Sequence, residues 1–348
     1  MLQRLRLCRL GQGHRPALTA HASSLAAATC AARRSCSSRD QARRGRAPSS
    51  TAHAASSTPA SAAPDAAEPT ASTSAPGGIY ARPELYDIAF SYRDFKSESK
   101  FLLDVQRQHG GGGKLNSVLE LGCGPARHLA GLARAGVPKL VGMDLSTDML
   151  GHARSVVAKE LGPRASAVEL LQMDMAEFDL PQHRDLDMVM CLLGTFCHLL
   201  DTQQAIACFK ATAAHLRPGG LFLLELPHPG DLFDGSLIIG DGGRDVWEVP
   251  MPGPGNKKVF VEWGAELDNF DPVTQILFRT VTVNVLAGDT AEDVVEEVVP
   301  YRQYTVRELE LLAGMAGLST AGLYGEMRVG VDLEHEDAYR MVAVFKKP

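Results

Sequence analysis

The sequence predicts an α/β protein built on a doubly wound, mostly parallel sheet, and three observations predict it. Short apolar runs at 115–121, 139–144, 165–172, 187–193 and 221–226 alternate with segments whose apolar residues recur at helical intervals. Brief, continuously apolar strands separated by helices are what a parallel sheet covered on both faces requires. The first run ends in Gly122-Cys123-Gly124-Pro125, a strand–turn–helix junction of the kind that receives ligands at the carboxyl edge of such sheets.

The elements follow in order. Leu85, Ile88, Ala89, Phe95, Phe101, Leu102 and Val105 give residues 84–109 one broken helix or two, stopped by four consecutive glycines at 110–113. A helix runs from Pro125 through Ala135. Ser146 caps the next, whose broad apolar face holds Met149, Leu150, Ala153, Val157 and Leu161. Asp201 and Gln204 have the spacing of a capping box, and Arg217-Pro218-Gly219-Gly220 ends that helix. The rhythm then breaks. Residues 227–255 are rich in Gly and Pro, 257–268 and 274–286 alternate as a hairpin joined around Asp271-Pro272, and 294–301 adds a strand. Thr305 with Glu308 starts a helix through Met315, and strands at 318–325 and 338–346 close the chain. The patterned segment at about 227–303 reads as an antiparallel insert after the fifth strand, bordering the functional site.

Composition divides the 348 residues in two. Residues 1–78 hold ten Arg, no Lys and three acids, a net charge of +7, with no aromatic residue. So little apolar side chain cannot offset the entropy of ordering the backbone, and the segment reads as a disordered leader. It is Arg-rich, hydroxylated and nearly free of acids before residue 65. That composition fits an organellar transit peptide, chloroplast ahead of mitochondrion, better than a secretory signal; a cytoplasmic chain with a disordered tail is the alternative. Residues 79–348 carry a net charge of −13 and form the folded domain. An acidic body argues against a broad nucleic-acid surface. The seven Cys include no CxxC pair, so neither a disulfide framework nor a zinc site is expected, and no metal is assigned. No run of 18 apolar residues suits a membrane span. Oligomeric state is not legible.

The glycine turn is the first chemical signal. Gly122 permits an unusual backbone angle, and Gly124 lets a ligand approach the chain. The helix that follows aims unpaired N–H groups and its positive dipole end at that ligand. A dinucleotide fingerprint would need a third glycine where Arg127 stands, and no Gly-Lys-Ser/Thr follows for a P-loop. Asp144 ends the next strand and can reach the two hydroxyls of a ribose; Asp174 follows the third strand on the same edge. Each acid has a plainer reading as a helix cap or solvated loop residue.

With these residues in place, 115–348 resembles the class I S-adenosylmethionine-dependent methyltransferases, of small-molecule type. ELGCGPA at 120–126 is similar to the family's first motif, VGMDLS at 141–146 to its ribose-binding strand end, and Met173-Asp174-Met175 to its adenine loop. The resemblance implies a seven-stranded sheet with a reversed last strand and S-adenosyl-L-methionine as cofactor. It implies a cofactor site of Glu120, Gly122, Cys123, Gly124, Ala126, Asp144, Leu145, Met149, Asp174, Met175 and Leu192, with Tyr86 closing over it. Ala126 departs from the motif, which has a third glycine there.

Methyl transfer from a sulfonium requires nucleophile, methyl carbon and sulfur in line, so placement matters more than a nucleophilic side chain. A base is needed only for a protonated acceptor, within about 3 Å or one water. The candidates are His198, after the fourth strand, and Glu225 and His228, ending the fifth. Phe196, Tyr92, Arg302 and Tyr304 are the candidate acceptor contacts. Packing is the competing reading for the aromatic residues and for Trp247 and Trp263, and a surface ion pair for Arg302. The expected activity is methyl transfer to an O or N atom of a small-molecule acceptor, without nucleic acid. A protein acceptor and a non-catalytic cofactor-binding relative are the alternatives.

Overall fold

Val118, Leu119 and Leu121 have no exposed surface, because β1 (Ser117–Leu121) runs through the interior of a seven-stranded sheet. β2 (Lys139–Asp144) and β4 (Leu186–Cys191) flank it in parallel. β3 (Val168–Gln172) extends the sheet beyond β2, and β5 (Leu216–Pro227) extends it beyond β4. β12 (Arg340–Lys346) pairs antiparallel with β5 and with β11 (Ser319–Tyr324), giving the order β11-β12-β5-β4-β1-β2-β3. Strand order reverses between β1 and β4, so a crevice opens at their carboxyl ends, where open α/β sheets bind ligands. The reversed last strand is as the resemblance implied.

The computed structural model describes residues 78–233, 244–266, 268–288 and 290–348. Residues 1–77 of the leader expected at 1–78, with Cys8, Cys30 and Cys36, lie outside the described residues. Alternation along β1 sends Leu119 and Leu121 into one apolar layer and Val118 into the other. Each fully buried leucine contributes about 1.5–3 kcal/mol. The layers are completed by helices α1 (Pro83–Ala89), α2 (Phe95–His109), α3 (Arg127–Arg134), α4 (Thr147–Leu161), α5 (Thr202–His215), the short α6 (Gly230–Phe233) and α7 (Val306–Met315). The expected caps form: Ser146 Oγ accepts from Met149 N, Asp201 and Gln204 make a reciprocal box, and Thr305 accepts from Glu308 N.

The insert is a second, antiparallel sheet. β7 (Lys257–Trp263) and β10 (Thr290–Arg302) both pair with β9 (Ile276–Ala287), and β8 (Asn269–Asp271) adds a short pairing to β9. The expected turn is pinned by Asp271, whose carboxylate accepts from Val273 N and Thr274 Oγ1. β6 (Asp245–Pro250), which pairs with β7, was hidden in the Gly/Pro-rich stretch. It is an edge strand, where a terminal Pro removes no needed donor. Val259, Val261, Val281 and Val283 bury one face of this sheet in the same layer as Leu85 and Ala89 of α1.

Several boundaries differ from the sequence reading, three of them with a local cause. α3 starts at Arg127 rather than Pro125, because Ala126 adopts a left-handed conformation (φ 60°) as its N-cap. Arg217-Pro218-Gly219-Gly220 belongs to β5, with a register shift where Leu186 and Met188 pair with Leu216 and Leu221. Residues 165–167 close a 3-10 turn, so β3 starts at Val168. Cys123, Cys191, Cys197 and Cys208 are free and buried. Burial pushes the thiols of Cys197 and Cys208 up to about 12, which makes them inert packing groups. Among the described residues no helix is long and apolar enough to cross a membrane, and no three His, Cys, Asp or Glu are placed to hold a metal ion.

Candidate active site

The turn after β1 is shaped by two glycines. Gly122 has φ +59°, and a Cβ there would stand 2.3 Å from Thr195 Cγ2, so only glycine lets the loop after β4 pack on the turn. Gly124 has φ +48°, and a Cβ on it would meet only Tyr86 Cε1, at 3.9 Å. The chain is therefore bare toward a space that Tyr86 covers from α1. Cys123 ties the turn to β2 through its N–H, which donates to Met143 O at 2.9 Å. Ala126 holds the left-handed conformation that the family's glycine would adopt without strain, at a cost of about 1–2 kcal/mol. Its methyl group is fully buried in the α3 core, which offsets part of that strain. Arg127 does not crowd the turn: its guanidinium pairs with Asp87 of α1 and with Glu160.

Asp144 projects from the end of β2 toward this turn. Its Oδ2 accepts from Gly124 N at 2.8 Å and its Oδ1 from Ser146 N at 2.9 Å. Burial raises its pKa, against those backbone donors. Two of its lone-pair positions are used, leaving acceptor capacity for a ligand's hydroxyls. Asp174 accepts from Ala176 N through Oδ1, a turn of the same form, with Met175 half-buried beside it. Leu145 is 44% exposed, while Met149 and Leu192 are buried.

Behind the turn lies a buried ionic cluster. Glu120 is 3% exposed; its Oε1 is 3.2 Å from His128 Nδ1, and its Oε2 has no hydrogen-bond partner. His128 Nε2 is 2.9 Å from Glu98 Oε2. With a carboxylate on each nitrogen, the ring is held as imidazolium: burial opposes its charge, but Glu120 and Glu98 raise its pKa to about 9. Arg93 joins Glu98 to both carboxylate oxygens of Glu225. Arg340 also pairs with Glu225, and with Glu326.

The cluster has a pH consequence. His128 in the folded state holds its proton above the ordinary histidine value of about 6.5. Its contribution to stability is therefore complete below that value and lost as pH rises through about 9. The urea midpoint of the wild type is expected to fall between pH 7 and pH 10, and His128→Gln to flatten that fall. Parallel profiles for the two proteins would contradict the assignment.

The cluster also corrects two catalytic expectations. Glu225 is not a base: Arg93, Arg340 and the Leu193 N–H (3.0 Å) occupy its oxygens, and burial is overcome by the two arginines, which hold its pKa well below the usual carboxylate range. Its work is to fix the loop at Leu193 and Gly194, both at positive φ (54° and 72°). His228 is not a base either: Nδ1 accepts from Gly230 N, so Nε2 carries the proton and donates to Leu333 O at 2.9 Å. Three acceptor-contact expectations fall as well. Arg302 is buried, pairs with Glu308, donates to Thr202 Oγ1 and lies over the Tyr304 ring. Tyr304 donates to Leu199 O at 2.5 Å. Phe196 is fully buried against Phe209 and Tyr304, so it supports the loop after β4 from below and is not the exposed floor of a pocket.

His198 is where its motif placed it, after β4, and it has partners the sequence reading missed. The Tyr80 hydroxyl is 3.1 Å from His198 Nε2 and 3.0 Å from the Tyr301 hydroxyl. Burial lowers the His198 pKa to about 4, so the ring is neutral, and burial keeps both phenols protonated. Ser146 Oγ donates to Tyr80 O at 3.4 Å, which sets this group beside the Asp144 turn. Ring contacts run on from Tyr80 to Tyr86, Phe90 and Trp263 and back to Tyr301 and His198. Trp247 donates to Ala89 O at 2.8 Å and meets Tyr92, which is 51% exposed at the rim. The signal for Tyr301 was present in YRQYT at 301–305, but alternation alone did not show which face of β10 it takes.

Comparison with known proteins agrees with this geometry. Residues 118–220 match the family model described as a methyltransferase domain. A dTDP-3-amino-3,6-dideoxy-α-D-glucopyranose N,N-dimethyltransferase from Streptomyces fradiae is 29% identical over 160 residues, 45% of this chain and 58% of that protein. A dTDP-3-amino-3,4,6-trideoxy-α-D-glucopyranose N,N-dimethyltransferase from Streptomyces venezuelae is 28% identical over 41% of this chain and 55% of that protein. The chain thus spans less than two thirds of the length of these relatives. The S-adenosylmethionine-bound structure of CalS10, an amino pentose methyltransferase from Micromonospora echinaspora, superposes with a TM-score of 0.58 at 21% identity, over 76% of this chain and 97% of that one. Residues 118–220 thus carry a methyltransferase domain, on a fold shared with an S-adenosylmethionine-binding methyltransferase.

The residues present fit that cofactor. Glu120 Oε2 is a buried acceptor without a donor, the group an ammonium needs. Gly124 leaves the turn bare, and Asp144 retains acceptor sites. Glu120 and the Gly122–Gly124 turn would hold the amino-acid end, Asp144 the ribose and the Asp174–Met175 loop the adenine.

Proposed function

We propose that the protein is an S-adenosylmethionine-dependent N-methyltransferase whose acceptor is a small-molecule amine of the amino-sugar class. The cofactor supplies a methyl group activated on a sulfonium. The observation that carries the reading is the Tyr80–His198–Tyr301 group: three hydrogen-bonding side chains, from the N-terminal segment, the loop after β4 and the insert, gathered beside the Asp144 turn. Both reported relatives are named as amino-sugar N,N-dimethyltransferases, which supports nitrogen over oxygen.

A histidine with a pKa of about 4 is a poor base for an alkylammonium. His198 and the two phenols therefore orient an amine that arrives with its lone pair free. The aromatic wall from Tyr86 to Trp263 excludes water and offers faces on which a sugar ring's C–H groups or a cationic centre can rest. Turnover is expected to rise with pH through the acceptor's own amine pKa. His198→Ala should lower kcat about 10–100-fold while S-adenosylhomocysteine affinity changes less than about threefold. Labelled methyl transfer to a nucleotide-linked amino sugar and to its hydroxyl counterpart tests the class. Transfer to the hydroxyl compound alone, or wild-type turnover in His198→Ala, would remove the proposal.

A further inference from the structure

Glu120 is fixed by a chain of buried groups. His128 is 3% exposed and spans Glu98 and Glu120, one carboxylate on each ring nitrogen. Only the doubly protonated ring can donate to both. Glu98 is in turn anchored by Arg93, with both side chains under a tenth exposed. The groups do not cancel. Glu98, Glu120, Glu225 and Glu326 face Arg93, Arg340 and His128, four acids against three bases. Asp144 adds further negative charge from the ribose side of the turn. The uncompensated oxygen is Glu120 Oε2, buried and without a donor. A buried carboxylate oxygen in that state is stabilised by a cation that brings its own N–H groups.

We infer that His128 is a positioning residue: held between Glu98 and Glu120, it fixes the Glu120 carboxylate so that Oε2 addresses the α-ammonium of the cofactor. The inference rests on the methyltransferase reading and deepens it. His128 does not touch the cofactor; it sets the rotamer and ionisation of the group that does. The network runs on through Glu98 and Arg93 to Glu225, which holds the Leu193 N–H in the loop after β4. The amino-acid end of the crevice and the loop under the reacting centre are thus braced by one set of ion pairs.

The test is the ratio of affinities, by calorimetry on the full chain, for S-adenosylhomocysteine and for its analogue with hydrogen in place of the α-amino group. A hydrogen bond to a charged group corresponds to roughly a tenfold preference or more for the amino compound in the wild type. Glu120→Gln should bring the two affinities within about threefold, and His128→Gln should do nearly the same while affinity for the desamino analogue stays close to wild type. Where His128→Gln fails to fold in a thermal melt, Glu98→Gln takes its place, with the same fall in the ratio expected. An unchanged ratio in the folded variant, or equal loss for both ligands, would overturn the positioning role. Equal affinities in the wild type would overturn the Glu120 assignment. A wild type that binds neither ligand would instead refute the cofactor reading beneath it.

Discussion

Replacing Arg93 with methionine is expected to destabilise the fold by about 3–5 kcal/mol, the range for removing one partner of a buried ion pair. Arg93 is 7% exposed along its side chain and serves two carboxylates, Glu98 and Glu225, which are 8% and 6% exposed. Methionine matches much of the volume but leaves both acids short of a donor in a region where water cannot replace it. Arg340 still pairs with Glu225, which keeps the loss toward the lower end for that carboxylate. The exposed pair Arg82–Asp293, at 42% and 40%, supplies the control, and Arg82→Met should cost no more than about 1 kcal/mol. Urea unfolding of the two variants decides it. A loss under about 1 kcal/mol for Arg93→Met would mean the cluster is better solvated than its burial implies. The double variant Arg93→Met with Glu98→Gln should lose less than the sum of the singles, because it removes a charge together with its counter-charge.

This cluster also marks where sequence reasoning stops. Periodicity and turn residues placed the strands of the main sheet, since an apolar run between helical segments has few other uses, and the glycine turn and Asp144 were legible at the carboxyl ends of the first two strands. The same reading offered Glu225 as a base and Arg302 as an acceptor contact. Both are charged residues near a strand end or helix start, which is all a sequence displays. The partners of Glu225 are 132 and 115 positions away, and Arg302, besides Glu308 six positions on, donates to Thr202 100 positions away; no local pattern encodes the distant pairings. Tyr80 and Tyr301 were missed for a related reason. They lie 221 positions apart and gain a role only when β10 and the segment before α1 converge on His198. The caps at Ser146, Asp201 and Thr305 were legible because each closes within a few residues of itself. β6 was not, because its pairing with β7 comes from the insert sheet and its composition resembles a loop.

The second large effect is expected at Asp144. Asp144→Ala should weaken S-adenosylhomocysteine binding by about 1–3 kcal/mol, from the loss of charge-assisted hydrogen bonds to the ribose hydroxyls. The carboxylate also accepts from Gly124 N and Ser146 N, so alanine leaves both N–H groups of the turn without their acceptor. Loosening the Gly124 turn acts on the amino-acid end of the ligand, and the loss should therefore exceed that from removing the ribose hydroxyls themselves. Asp144→Asn separates the two contributions: it keeps the shape and one acceptor oxygen, and should fall between wild type and alanine. Because burial raises the Asp144 pKa and the backbone donors only partly oppose it, affinity is also expected to decline on acidification as the carboxyl takes up its proton. That decline should be absent in Asp144→Asn. Calorimetric titrations of the three proteins at two pH values, with a thermal melt to confirm folding, measure all of this. Wild-type affinity in Asp144→Ala would show that the acid serves only to order the backbone at Gly124 and Ser146, and the ribose would have to be sought elsewhere along the sheet's carboxyl edge.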